Sequence, residues 1–434
     1  PGGPLQFAVG GAIRYEAVDA PSANDDYAGP TQRYFRLNAF GTEGDRTVYS
    51  AFAELNAPIV EQFEVNLSGR YDNYSSGQDA FSPKVGAKFT PIREVALRGT
   101  YSRGFRIPSF AEANALPTTG FVNATSTLYP NSYLAQYGCS QATFSSCPVY
   151  IRSASYGSTS LGTEGLEPEK SRSFTAGVIF EPKRNLTLTV DYFNIKKTNA
   201  IVTADAAPAI AAYYAGQAIP SGFNVIADNA DPAFANALPR IAFVESGFIN
   251  ANTIRSEGID INATARFDFG PVRFSTSVDA SYIIDLSTTF PDGTTQSYEG
   301  TLGNYNLTAG SGTPEWRATW QNTIDFGEAS LTATANYFDG YDLSAEDQTG
   351  PGTANQCGLN PGYVPCKVSD YLTVDLVGTF KVTDRASFYI NVLNVLDDLP
   401  PIDPVTYGAH LYNAVQGGTG ILGRSFRAGF RFGL

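Results

Sequence analysis

The side chains able to do chemistry in this chain are few, and their spacing points away from catalysis. Four cysteines fall as two close pairs, Cys139 with Cys147 and Cys357 with Cys366, each inside a segment rich in Gly, Ser, Pro and Asn. Local disulfides formed in an oxidising compartment are the expected reading, ahead of free thiols. They would staple loops, either where a ligand is held or simply against proteolysis. A zinc-type site needs tighter cysteine spacing or histidine partners, and His410 is the only histidine. One imidazole cannot give a specific Ser-His-Asp set, and no Gly-rich phosphate loop follows a strand. No catalytic, cofactor or metal residues are expected.

The remaining charged residues are informative through their phase. Arg98, Asp191, Arg266, Asp279, Asp375 and Arg427 each lie in a run where every second residue is apolar, which puts them on the polar face of a strand. At the C-terminus, Phe426, Ala428, Phe430, Phe432 and Leu434 alternate with Ser425, Arg427, Gly429, Arg431 and Gly433. Between 258 and 269, Ile259, Ile261, Ala263, Ala265, Phe267 and Phe269 oppose Asp260, Asn262, Thr264, Arg266 and Asp268. The same two-residue period covers 63–72, 95–106, 186–192, 272–282 and 372–381.

Composition agrees with an all-β reading. The chain has 434 residues, 43% of them hydrophobic, which is enough for a large folded body. No stretch approaches the roughly 20 apolar residues of a membrane-spanning helix, so a helical membrane protein is excluded. Abundant Tyr (25), Phe (29) and Gly (42) beside only 16% charged residues favour aromatic-rich strands joined by turns. A net charge of −13 excludes a nucleic-acid-binding surface.

Fourteen strands are predicted, at about 5–18, 46–58, 62–74, 81–91, 95–106, 171–181, 186–200, 253–269, 272–285, 313–326, 330–342, 369–382, 386–397 and 423–434. Their connections alternate in length. Those at 59–61, 92–94, 182–185, 270–271, 327–329 and 383–385 are short. The others are mostly long: 19–45, 107–170, 201–252, 286–312, 343–368 and 398–422, with 75–80 modest. A sandwich has no reason to segregate short turns to one end, whereas a transmembrane antiparallel β-barrel does so. In a barrel the apolar parity meets hydrocarbon, which makes the six charged residues named above candidates for the lumen. Tyr101, Tyr192, Trp316, Trp320 and Tyr337 are candidates for interfacial girdles or ordinary lipid-facing positions. The Ala-rich segment 205–240 predicts short helices in a long loop, as a lid or a packed element. Tyr213 and Tyr214 there could hold a ligand or pack the loop.

Several segments, in order, resemble the TonB-dependent receptors. FSPKVGAKFTPIREVALRGTYSRGFRIPSFAE (81–112) is the most specific, ending in the Arg-hydrophobic-Pro-Ser lead into a long loop. GLEPEKSRSFTAGVIFEP (165–182) and LTLTVDYFNIKKTNAI (186–201) follow at the expected spacing. SEGIDINATARF (256–267), SDYLTVDL (369–376) and NVLNVLDDLPP (391–401) resemble the late strands of the family. The resemblance implies a 22-stranded barrel behind an N-terminal plug. Residues 1–434 would then be one domain portion, the last fourteen strands, with the plug, the coupling motif and the first strands before Pro1. It further implies energy-coupled import, without catalysis, of a small ligand such as an iron chelate or siderophore, a corrinoid or an oligosaccharide. The implied partners are the lipid bilayer of the Gram-negative outer membrane, the inner-membrane energy-transducing complex and the barrel assembly machinery. The assembly signal would be the terminal strand, although the family usually ends in Phe and this chain ends in Leu434. Two rivals remain: a passive 14-stranded channel and a non-transporting surface-binding barrel.

Overall fold

The computed structural model describes residues 2–21, 41–301, 313–342, 367–403 and 412–432. Fourteen long strands form one antiparallel sheet in chain order. They are β1 (Gln6–Ala20), β2 (Thr42–Val60), β3 (Phe63–Tyr74), β4 (Asp79–Ile92), β5 (Val95–Arg106), β6 (Glu169–Lys183) and β7 (Leu186–Thr203). Then follow β8 (Ile241–Phe269), β9 (Val272–Thr289), β10 (Trp316–Asp325), β11 (Ala329–Phe338), β12 (Tyr371–Thr383), β13 (Ala386–Leu393) and β14 (Ser425–Phe432). Each strand pairs with the next, and among the described residues no register joins β14 to β1. No helix among these residues is long and apolar enough to cross a membrane.

Alternation becomes segregation because antiparallel partners directly opposite each other share a face. Arg98 opposes Gly177, Gly177 opposes Asp191, and Asp191 opposes Asp260. Following the register in both directions puts Arg98, Asp191, Arg266, Asp279, Asp375 and Arg427 on one polar face. The other face carries Leu97, Phe174, Phe180, Trp320, Leu331 and Phe430, all exposed. So wide an apolar surface is unstable against water and suits hydrocarbon. From Phe269 to Ile259 the apolar run on β8 is about 33 Å long at ~3.3 Å per residue. With a ~40° tilt it stands about 25 Å tall, the height of the apolar band on membrane barrels.

One end of the wall has tight turns, such as 270–271 and 327–328, where Gly270 (φ 65°) and Gly327 (φ 85°) take backbone conformations that disfavour a Cβ. The other end carries the long connections, and these are more regular than the sequence suggests. β8 starts at Ile241 rather than 253, because its upper half pairs with β7 on one side and with Ser155–Leu161 and Phe223–Ala227 above it. β2 begins at Thr42 rather than 46, β7 reaches Thr203 rather than 200, and β9 runs on to Thr289. β11 ends at Phe338, with Tyr341–Asp342 pairing separately with Lys367–Val368. β13 ends at Leu393 rather than 397, since Asn394 (φ 51°) and Asp397 (φ 62°) turn the chain away. Cys357, Cys366 and His410 lie outside the described residues.

Candidate functional site

The polar face of the sheet is organised in cross-strand rows. Arg98 on β5 forms an ion pair with Asp191 on β7, reaching over β6, and its Nε donates to Asp191 Oδ1 at 2.8 Å. Gly177 of β6 leaves the path open: a Cβ there would lie 1.9 Å from Asp191 Oδ1. In the same row Asp260 accepts from Ser281 Oγ at 2.6 Å. Two residues along β8, Asn262 Nδ2 donates to Asp279 Oδ1.

Three shallow grooves follow from these rows. Asp191, Asp260, Asp279 and Arg317 line one. Arg266, with Arg184, Ser275 and Gln321, lines a second nearer the tight turns. Asp375 and Arg427 line a third with Asn336 and Thr373, and Asp375 Oδ1 accepts the backbone N–H of Asn394 at 2.8 Å. The six candidates are thus distributed rather than gathered. Arg98 and Asp191 are bonded, Asp279 shares the groove of Asp191, and Arg266 stands apart from the Asp375 and Arg427 pocket. Hydroxyls, amides and paired charges of this kind can hold water and polar solutes.

At the loop end three of the sequence motifs converge. Arg106 ends β5 and donates through Nε to Glu169 Oε2 at 2.7 Å. Its Nη atoms donate to both oxygens of Glu112 at 2.8 and 2.9 Å. Ser109 caps the helix Phe110–Asn114: its Oγ accepts from the Glu112 N–H at 3.2 Å, and its own N–H donates to Glu112 Oε2 at 2.7 Å. This is a capping box, a local device that fixes where the loop leaves the strand. Burial pushes the Glu112 carboxyl up, but the hydrogen bonds from Arg106 and Ser109 outweigh it and hold it below the usual carboxylate range. Glu169, 2% exposed, also accepts from the Ile201 N–H at 2.9 Å and pairs with Lys197. Arg106 and Glu169 both lie in segments that carry the family resemblance, but the sequence assigned neither a role. The available signal was their opposite charge at the ends of adjacent strands.

Above this rim, segments of the two longest described connections fold into one cap. Thr118–Asn123, Ser155–Leu161, the start of β8 and Phe223–Ala227 form a mixed sheet whose central pair is parallel. Its core is largely aromatic: Tyr129, Tyr133, Tyr137 and Tyr214 pack with Leu134 and Ile151. Cys139 and Cys147, both buried in this core, are joined by a disulfide. The segment 205–240 contains the helix Ala207–Tyr214 and the turn Pro232–Phe234. Tyr214 Oη accepts from the Ile241 N–H at 3.1 Å, and Tyr213 Oη donates to the Pro239 carbonyl at 2.9 Å, so both tyrosines serve packing. Burial pushes the Tyr129 phenol up to about 12 and raises Tyr133 and Tyr214 as well.

Four of the five aromatic candidates lie near the strand ends on the apolar face. Trp316 stacks on Tyr282 with centroids 4.6 Å apart, and Tyr192 Oη donates to Glu257 Oε1 at 2.8 Å. Tyr337 Oη donates to Asp339 at 3.2 Å, and Tyr101 Oη accepts from Arg103 Nε at 3.3 Å. For the three tyrosines, a ring against apolar surface with its polar tip satisfied is the arrangement of an interfacial belt. Trp320 lies lower, opposite Val278 and Ala335, and its Nε1 donates to Thr276 Oγ1 at 3.0 Å.

Comparison with known proteins agrees with this geometry. No curated protein matches the chain. Solved structures do: the siderophore receptor PirA from Acinetobacter baumannii has a TM-score of 0.62 at 15% identity, covering 99% of this chain and 52% of that one. A ferric enterobactin receptor (PfeA) mutant from Pseudomonas aeruginosa has a TM-score of 0.59 at 15% identity, with 99% and 51% covered. The FrpB iron transporter from Neisseria meningitidis has a TM-score of 0.54 at 13% identity, with 99% and 52% covered. These likenesses show the fold, and the chain spans about half the length of each of these structures. The model of the TonB dependent receptor-like β-barrel matches residues 2–395, and the chain belongs to that family.

Proposed function

We propose that this chain is the C-terminal part of the barrel wall of an outer-membrane receptor that imports a scarce nutrient, an iron chelate, by energy-coupled transport. The observation that carries the reading is the two-faced wall itself. One face is apolar over the height of a bilayer core, the other is lined with hydrogen-bonded charges, and long structured loops gather at one end only. The three neighbours bear the names of iron or siderophore receptors and transporters, which favours an iron chelate over a corrinoid or oligosaccharide. Half-length coverage accords with the last fourteen strands of a 22-stranded barrel. The remaining strands, the plug and the segment engaging the inner-membrane complex would belong to the rest of the protein. The protein would reside in the Gram-negative outer membrane, be inserted by the barrel assembly machinery, and act without catalysis.

The test is uptake of a radiolabelled ferric siderophore by iron-starved cells with and without the gene. Loss of uptake on deletion, restoration by the full-length protein and abolition by a protonophore support the reading. Uptake that survives the protonophore points to a passive channel, and binding without uptake to a surface receptor; either overturns it.

A further inference from the structure

The apolar face carries a row of cations above its aromatic belt. Arg103 on β5 opposes Arg172 on β6, Arg172 opposes Lys196 on β7, and Lys196 opposes Arg255 on β8. All four share the face of Leu97 and Phe174 rather than that of Arg98 and Asp191. Like charges directly opposite on adjacent strands repel and destabilise a sheet unless a counter-charge covers them. Arg255 has one, pairing with Glu257 and Asp285. Arg103 bonds only the neutral Tyr101 hydroxyl. Among the described residues neither Arg172 nor Lys196 forms an ion pair, and Arg103 and Arg172 are exposed.

Position identifies what the counter-charge is. Tyr192, in the row of Ile259, marks the upper edge of the apolar band, and Arg255 lies four residues farther toward the loops. At ~3.3 Å per residue and a ~40° tilt that is about 10 Å higher. This is headgroup depth, beyond the hydrocarbon but within reach of lipid phosphates. We propose that Arg103, Arg172 and Lys196 form a site for the phosphate groups of an anionic lipid in the outer leaflet. The proposal rests on the membrane reading above. Guanidinium groups bind phosphate oxygens bidentately, while the lipid chains would lie on Phe174 and the aliphatic rows below.

The test uses the full-length protein, extracted from vesicles of phosphatidylglycerol and phosphatidylcholine, with retained lipids counted by native mass spectrometry. The wild type is expected to retain phosphatidylglycerol preferentially. The R103Q/R172Q/K196Q variant should bind it on the order of 100-fold more weakly, from about fivefold per cation. The polar-face variant K84Q/K88Q should match wild type. Equal retention by wild type and the triple variant overturns the site, as does displacement of the lipid by millimolar inorganic phosphate, which would mark a site for soluble anions. A nitroxide on V178C, below the row on the apolar face, separates the two readings. If lipid contacts the label but the triple variant changes nothing, only this proposal fails. If lipid does not contact it, the membrane reading itself fails.

Discussion

Arg106 Nε and Glu169 Oε2 lie 2.7 Å apart across the upper ends of β5 and β6, joining two motifs that are distant in sequence. Glu169 is almost fully buried, whereas Arg106 is nearly half exposed. Arg106→Ala would therefore leave a buried carboxylate with Lys197 and the Ile201 amide as its remaining partners. Removing one member of a buried pair costs about 3–5 kcal/mol, and the exposure of Arg106 lowers that to about 2 kcal/mol here. Amide hydrogen exchange in 107–168 should accelerate while β3 and β4 stay protected. A double-mutant cycle of R106A with E169Q is expected to give coupling of about 1 kcal/mol, and coupling near zero would show that the pair does not hold the loop.

Glu112 gives that anchor a pH dependence. Its carboxyl is held below the usual carboxylate range in the folded state, so its contribution is present above the unfolded value near 4.5 and disappears as pH falls through the lowered folded value. Limited proteolysis within 107–168 should stay slow at pH 5 and quicken only on further acidification. Glu112→Gln should raise cleavage at neutral pH and flatten this acid response. An unchanged acid profile in the variant would remove Glu112 from the account.

The wall was legible in the sequence because alternation is a local property. Phe267 and Phe269 on one parity, with Arg266 and Asp268 on the other, suffice to assign the faces of a strand before any pairing is known. The ends of the strands were not legible, because they depend on distant partners. Ile241 to Asn252 reads as loop until Ser155–Leu161 arrives alongside. Asn394 has a sequence context that continues a strand, but its left-handed backbone and the bond from its N–H to Asp375 end it. The role of the polar groups that fix the rim was not legible for the same reason. Glu169 acquires its role only when Arg106, Lys197 and Ile201 are brought to it from three segments.

The Cys139–Cys147 bridge closes a short loop within the cap's aromatic core. Chain-entropy reasoning for a loop of this size gives about 2.5 kcal/mol. Cys139→Ser with Cys147→Ser should lower the stability of the cap by roughly that amount and leave the wall below it unaffected, since the cap core holding the bridge draws its wall residues only from the start of β8, at Ile241 and Val244. Hydrogen exchange resolved by segment should show faster opening of 118–161 and 205–240 alone. Faster exchange throughout the sheet would mean that cap and wall unfold as one unit.

Gly177 offers the sharpest test of the polar rows. A methyl group there would meet the Asp191 carboxylate at 1.9 Å and the Val190 carbonyl oxygen at 3.0 Å. The carboxylate can swing aside, but only by giving up Arg98, whereas the backbone oxygen can move little. Gly177→Ala is therefore expected to cost about 2 kcal/mol, part from the lost ion pair and part from overpacking. In an Arg98→Ala background the first part is already gone, so the same change should cost about 1 kcal/mol less. Urea unfolding of the full-length protein in detergent, run for wild type, both single variants and the double variant, measures that difference. Strict additivity would mean that the glycine is set by strand packing alone and does not keep a path open between Arg98 and Asp191.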